Sequence, residues 1–280
     1  MQQPKHIGIV GLGLIGGSIG LALKELKCFK SIVGYDISPL HSSLAVSLGL
    51  VDECVELEDI FNRTDVIFLA VPVEGIIEVL QQIKCLKPET TIIDLGGTKQ
   101  KILDSVPLHL RKNFIAAHPM SGTEFYGPKA ALRDLFKDKI VILSDLQDSG
   151  AYQVQVARDI FLGIGMKIIK MSAQEHDKHI ALISHMPHVI SYALANAVLK
   201  QEDPQMILAL VGGGFLSMSR LSKSSPKMWR DIFKQNKDNV LDSLASFENE
   251  LTLARKLIEQ EDWDGLESFM AHANKLQDFL

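Results

Sequence analysis

Residues 6–18, His6-Ile-Gly-Ile-Val-Gly11-Leu-Gly13-Leu-Ile-Gly16-Gly-Ser18, decide how this chain is read. The apolar run before Gly11 is a strand of the kind buried on both faces, and the pattern from Ile19 to Leu26 has helical spacing. Three glycines lie between them, each with a distinct task. Gly11 permits the tight turn, Gly13 lets the main chain approach a diphosphate, and Gly16 lets the helix pack against the strand. Leu14 and Ile15 complete the turn, and the free amides there offer a seat for an anion. Asp36 closes the next strand, Ser31-Ile-Val-Gly-Tyr-Asp36. A carboxylate at that place accepts hydrogen bonds from an adenosine ribose and repels a 2′-phosphate, so the pattern selects NAD over NADP.

Outward from this turn the strand and helix signals keep alternating. Residues 38–48 read as a helix with Ser38 as N-cap and Gly49 at its end. Asp65 to Val71 is a wholly apolar strand ended by Pro72, with a helix over residues 75–83 behind it. Residues 90–94 form the next strand, followed by Leu95-Gly96-Gly97-Thr98-Lys99. Such regular alternation predicts an α/β fold built on a Rossmann-type doubly wound parallel sheet. Val71, Pro72, Gly96 and Gly97 then line the same cofactor cleft as the glycine turn.

Asn113 to Ala117 is a short apolar strand that ends at His118, and Pro119 is expected to stop further pairing. A histidine at the carboxyl end of a parallel strand stands where ligands bind in open sheets, and its side chain titrates near neutrality. Two more strands are expected at residues 139–143 and 166–170, after which the pattern is helical. The boundary falls near Ser172, dividing a cofactor domain of residues 1–171 from an all-helical domain of residues 172–280. In the second part, residues 173–199 read as one amphipathic helix kinked at Pro187, and residues 232–260 and 263–279 as two more. Gly212-Gly-Gly-Phe215 reads as a break between helices. These helices carry more apolar face than one small domain buries, which predicts a homodimer.

With 46% hydrophobic and 22% charged residues, the chain has the balance of a folded globule, and its net charge of −5 gives no reason to expect nucleic acid. Cys28, Cys54 and Cys85 show neither metal nor redox spacing. The N-terminus has no signal pattern, and no uninterrupted apolar run of membrane-spanning length is read, so the expectation is a cytoplasmic protein with no membrane partner.

His185 and His188 are spaced to share a helix face, but no glutamate lies at a matching position and no cysteine is near. No metal is therefore expected, and an anion or a packing contact accounts for the pair. Beyond the glycines, Arg220 stands in a serine-rich run that leads to Pro226-Lys-Met-Trp229. An arginine fork flanked by apolar residues suits a carboxylate better than it suits a flexible linker.

Taken together, Gly-Leu-Gly-Leu-Ile-Gly-Gly-Ser18, His118-Pro-Met-Ser-Gly-Thr-Glu124, Ser184-His-Met-Pro-His188, and Gly-Gly-Gly-Phe215 through Arg220 to Met-Trp-Arg-Asp-Ile-Phe233 resemble the prephenate dehydrogenase family. Its members, of tyrosine biosynthesis, are also called arogenate or cyclohexadienyl dehydrogenases. The resemblance runs through nearly the whole chain in order. It implies oxidative decarboxylation of prephenate, a small dicarboxylate, to 4-hydroxyphenylpyruvate with hydride transfer to NAD. His118 would accept the hydrogen bond of the ring hydroxyl. Ser184, His185, His188 and Arg220, with Ser224 and Trp229 nearby, would contact the substrate, and Glu124 would pair with Arg220 as a gate in the empty site.

Two positions depart from the family pattern. A serine that helps to orient the catalytic histidine is replaced by Gly97, which leaves Thr98 or a water to take that role. Ser217 stands where relatives carry an acid that braces the arginine. The first strand begins near residue 5 and nothing follows Leu280, which implies a single activity, with any tyrosine inhibition acting at the active site itself. The alternatives are an arogenate dehydrogenase, a β-hydroxyacid dehydrogenase using Lys178, and a catalytically idle NAD-binding sensor. The β-hydroxyacid reading leaves His118 unexplained, and the sensor reading does not account for His118, His188 and Arg220 together.

Overall fold

The alternating strands close into one eight-stranded sheet of order β3-β2-β1-β4-β5-β6-β7-β8. The computed structural model describes residues 5–279. The first half runs β1 (His6–Val10), α1 (Leu14–Leu26), β2 (Ser31–Tyr35), α2 (Pro39–Ser47), β3 (Glu53–Cys54), α3 (Leu57–Arg63), β4 (Val66–Leu69), α4 (Val73–Gln82), β5 (Thr91–Asp94) and α5 (Gln100–Ser105). It continues through β6 (Phe114–Pro119), β7 (Ile140–Ser144), α6 (Ala151–Gly163) and β8 (Lys167–Met171). Every neighbouring pair is parallel except β6 with β7.

Successive strand residues face opposite sides of the sheet, and both sides are covered. Ile7, Ile9, Phe68, Ile93 and Ile115 meet α1 and α6 on one face. Val10, Ile67, Leu69, Ile92 and Phe114 meet α3, α4 and α5 on the other. Gly11 has φ +92°, and a Cβ there would lie 2.5 Å from the Ala70 carbonyl oxygen. A Cβ on Gly16 would lie 1.9 Å from the Gly11 carbonyl oxygen, so the helix can start where it does only with glycine at that position.

The second half holds α7 (Ala173–Ile180), a π-helical turn (Ala181–His185), α8 (Met186–Leu199), α9 (Pro204–Ala209), α10 (Gly213–Ser219), α11 (Pro226–Gln235), α12 (Lys237–Glu259) and α13 (Trp263–Asn274). A capping box starts it: Ser172 Oγ accepts the Glu175 N–H at 3.1 Å, and the Glu175 carboxylate accepts the Ser172 N–H at 3.0 Å.

Several expectations need correction. Pro119 does not stop the pairing of β6: it lies opposite Val141, and the ladder continues to the Met120 N–H, which donates to Ile140 at 2.8 Å. The helix expected over 173–199 does not simply kink at Pro187 but widens over Ala181–His185. The proline ring would crowd the carbonyl four residues back, at Ile183, and the wider turn relieves that clash. By length and composition alone this 27-residue segment, with a mean hydropathy of 1.2 over its best window, is apolar enough to cross a membrane, although polar residues interrupt its apolar run.

The helix expected over 232–260 is two helices that meet at Asn236, where the backbone leaves helical geometry at φ −112°, ψ 31°. Gly212 caps α10 and Gly213 and Gly214 lie within it, so the glycine run opens a helix. The last predicted helix ends at Asn274 and finishes in a 3-10 turn.

Candidate active site

The glycine turn, the loops after β4 and β5, and the end of β6 all leave the sheet at its carboxyl edge. At the turn, the Asp36 carboxylate accepts the N–H groups of Leu12 and Ser38, each at 2.9 Å, with His41 Nδ1 3.4 Å away. A Cβ on Gly13 would meet nothing nearer than the Gly127 nitrogen at 4.0 Å, so the face of the turn is open. Leu14 and Ile15 begin α1 half-buried beside it. Val71 and Pro72 follow β4 directly, and Gly96 and Gly97 follow β5. An open glycine cradle at a helix start, with a carboxylate at the end of the second strand, fits a dinucleotide.

His118 is the fifth residue of β6 and half-buried. Its Nδ1 lies 2.8 Å from Nε2 of His176, with the two rings edge to face at 65°. His176 Nδ1 in turn lies 2.7 Å from Oδ1 of Asp177. The Asp177 carboxylate also accepts the N–H groups of Lys99 at 2.8 Å and Gln100 at 2.9 Å, at the start of α5. Burial, then the neighbouring His176, Lys99 and His185, pushes the His118 imidazolium well below the ordinary histidine range. His118 is therefore neutral at physiological pH and able to accept a proton.

Beneath His118 lies a fully buried Lys99 that donates to the Asp94 carboxylate and, at 2.8 Å, to the Ala117 carbonyl. Burial raises the Asp94 carboxyl and lowers the Lys99 ammonium, while their mutual attraction opposes both shifts. The ion pair ties the ends of β5 and β6 together immediately before His118.

Thr98, a candidate to steady His118, does something else. Its hydroxyl donates to Gln235 Oε1 of α11 at 3.0 Å, and the side chain that meets His118 is His176.

The helical half supplies the opposite wall. Asn236 Nδ2 reaches the Asp177 carbonyl at 2.7 Å and His185 Nδ1 at 3.1 Å, which explains why the chain breaks its helix there. His185 meets the buried Trp229 edge-on, and His188 stacks on the same indole at 3.5 Å between ring centres. His188 Nδ1 donates to the Ser184 carbonyl at 2.9 Å, leaving Nε2 for another partner. Trp229 Nε1 is buried with no hydrogen-bond partner. Burial, then His176 and His188, brings His185 down to about 4 against the pull of Asp177.

Arg220 pairs with Glu124 at 3.3 Å, joining the 3-10 turn after α10 to the loop after His118. Ser224 is buried and takes part through its main chain, its carbonyl accepting the Tyr192 hydroxyl at 2.8 Å. Lys178 is exposed, as a β-hydroxyacid dehydrogenase reading would not have it. Among the described residues no group of three or more His, Cys, Asp or Glu side chains could hold a metal ion.

The fold and this site define a two-domain NAD-dependent dehydrogenase. The chain belongs to the prephenate dehydrogenase family: the family's nucleotide-binding domain matches residues 19–170 and its dimerization domain residues 172–272. A prephenate dehydrogenase of Bacillus subtilis (strain 168) is 34% identical over 286 aligned positions, covering 100% of this chain and 77% of its own. A cyclohexadienyl dehydrogenase of Zymomonas mobilis is 34% identical over 94% of this chain and 91% of its own. The crystal structure of prephenate dehydrogenase from Aquifex aeolicus with hydroxyphenyl propionate and NAD+ superposes with a TM-score of 0.91. It is 30% identical to this chain, covering 98% of this chain and 97% of its own.

Proposed function

We propose that this enzyme oxidises prephenate with NAD and releases CO2 to give 4-hydroxyphenylpyruvate. The observation that carries this reading is the pairing, across one loop, of a neutral histidine at a strand end with an arginine that can bind a carboxylate. NAD, when bound, accepts the hydride. Gly11, Gly13, Leu14, Ile15 and Gly16 would hold its diphosphate and Asp36 its adenosine ribose. Val71, Pro72, Gly96 and Gly97 would flank the nicotinamide end.

His118 accepts the ring hydroxyl proton as hydride leaves the same carbon. The bond to the ring carboxylate then breaks, and its electron pair restores aromaticity. The phenolate oxygen so formed takes the proton back from His118, so the histidine borrows a proton and ends as it began. Arg220 binds a substrate carboxylate in exchange for Glu124, and this exchange is the gate. His188 Nε2 and Trp229 Nε1 face the side-chain end, with Ser184, His185 and Ser224 shaping the wall.

Asp177 is committed to His176 and two amides and is not free to accept the ammonium of arogenate. This favours prephenate. NADH formation measured with each substrate should be faster with prephenate; no NADH from either would end the reading.

The same proposal covers a cofactor domain of residues 1–171 and a helical domain of residues 172–280. The capping box at Ser172 and the two family matches that meet beside it support this division. It also covers a cytoplasmic homodimer, formed through the helical half, in which tyrosine, resembling the product, competes at the active site.

A further inference from the structure

The chain His118–His176–Asp177 joins two halves of the molecule through ring nitrogens whose protons are not independent of one another. An ionised carboxylate only accepts hydrogen bonds. Burial pushes the Asp177 carboxyl up, but the His176 bond and the amides of Gln100 and Lys99 outweigh it and hold it below its ordinary value. Asp177 is thus ionised at neutral pH, and the proton in its 2.7 Å contact belongs to His176 Nδ1.

His176 is completely buried, and burial holds its imidazolium below the ordinary range despite Asp177. A neutral ring with Nδ1 protonated has a bare Nε2. That Nε2 lies 2.8 Å from His118 Nδ1, so the proton in this second contact belongs to His118. One N–H is all that a neutral imidazole has.

We propose that His176 and Asp177 are positioning residues that fix His118 as the Nδ1–H tautomer, leaving Nε2 as the bare acceptor for the substrate. The isolated carboxylate of Asp177 could rotate, but two main-chain amides at the start of α5 hold it in place. Asn236, at the junction of α11 and α12, donates to Asp177's own main-chain carbonyl. The groups that face His118 are His176 and Asp177 from α7, Lys99 with Asp94 from the β5 side, and His185 from the π-helical turn. The Lys99 ammonium and the histidines oppose a second proton on His118, so the ring keeps a single N–H on the side where His176 accepts it.

The inference rests on the reading that His118 accepts the substrate's hydroxyl proton, yet its first test needs no turnover. Long-range proton–nitrogen correlation spectra of the 15N-labelled NAD-bound protein at neutral pH should show His118 with a pyrrole-type Nδ1 and a pyridine-type Nε2. His118→Asn supplies the assignment. Protonated Nε2 on His118 in the wild type overturns the inference, whatever the activity.

His176→Leu should then release His118 to the opposite tautomer and lower kcat about 100-fold or more, with KM for NAD changed less than about twofold. His176→Gln, whose Oε1 restores an acceptor near the same place, should recover activity to within about tenfold of wild type. A His176→Leu protein with wild-type kcat and an unchanged His118 tautomer would also refute the assignment. If that variant does not fold, the wild-type spectrum decides. A wild-type protein with the expected tautomer but no turnover of prephenate would count against the proposed reaction and leave the proton assignment standing.

Discussion

All four residues of β4, Val66–Leu69, are buried, whereas α12, with 23 residues, buries only Val240 and Ser243. The contrast holds for the two halves at large. Both apolar clusters of the sheet half lie within residues 7–168, with the central strands β1, β4, β5 and β6 covered on two faces by helices of the same chain. The helical half leaves Leu210, Leu251, Ile258, Trp263 and Met270 more than half exposed. Apolar surface left in water forgoes about 25 cal/mol per Å², so the helical half leaves more burial unclaimed by its own sequence than the sheet half does. A second copy of the chain, docked through this half, is the proposed completion.

The division of labour can be attacked most directly at the base itself. His118→Asn should lower kcat by about three orders of magnitude, since a general base is worth about 10²–10⁴, while NAD affinity and thermal unfolding stay near wild type. Calorimetric NAD titration alongside turnover checks this. A parallel loss of cofactor binding would mean that the sheet half is less self-sufficient than its core suggests.

Arg220 tests the helical half in the same way. Arg220→Ala should raise KM for prephenate about 10- to 100-fold, the worth of a charge-assisted contact, with a smaller change in kcat. Steady-state kinetics at saturating NAD would expose an unchanged KM, and the arginine would then lose its place in the site.

Acid should act at the seam between the halves. His118, His176, His185 and His188 all have their imidazolium forms disfavoured by burial. For a histidine whose folded pKa is depressed, the stabilisation is complete above the unfolded value near 6.5 and is lost as pH falls through the folded value. For His185 that means through about 4. On the proposed mechanism activity needs neutral His118 and should fall on the same side, with a midpoint below 6.5. A pH profile of kcat/KM together with urea melts at stepped pH would show it, and a midpoint above 6.5 would contradict the depressed His118.

The smallest effect sharpens the comparison most. A Cβ on Gly20 would lie 2.1 Å from the Leu50 carbonyl oxygen, while one on Gly214 would find nothing within 4 Å. Gly20→Ala should cost about 1–3 kcal/mol by overpacking, and Gly214→Ala should gain about 0.4–1 kcal/mol by restricting the unfolded chain. Denaturant unfolding measures both. A loss at Gly214 would show that a second copy of the chain, as proposed, or a ligand closes on that turn.

What could be read from the sequence was local. The β1 strand, its glycine turn and Asp36 declare themselves because both faces of the strand are apolar and the turn needs particular residues within a few positions. The break at Asn236 was invisible because its cause is 59 residues away at Asp177 and 51 away at His185. The pairing of Pro119 depends on Val141, and nothing near Pro119 announces it. Periodicity made a helix of residues 173–180 but gave no sign that His176 meets His118, 58 residues earlier. The capping box at Ser172 was the usable signal, since it fixes where the helix begins and hence which residues fall in its first turns. The Arg220 contact with Glu124, 96 residues apart, was anticipated only through resemblance to relatives.

The two oxygens of Asp177, fastened to the amides of Lys99 and Gln100, have a mechanical consequence. That end of the seam is dry and tied to the main chain on both sides, whereas the far end is held by the water-exposed pairs Arg220–Glu124 and Lys234–Glu74. Exposed pairs of this kind contribute little and exchange readily with solvent ions. The start of α7 is thus the firmly held end of the seam, and the Arg220 turn with α11 the loosely held end. Removing one of the exposed pairs should therefore disturb the seam less than removing an Asp177 contact.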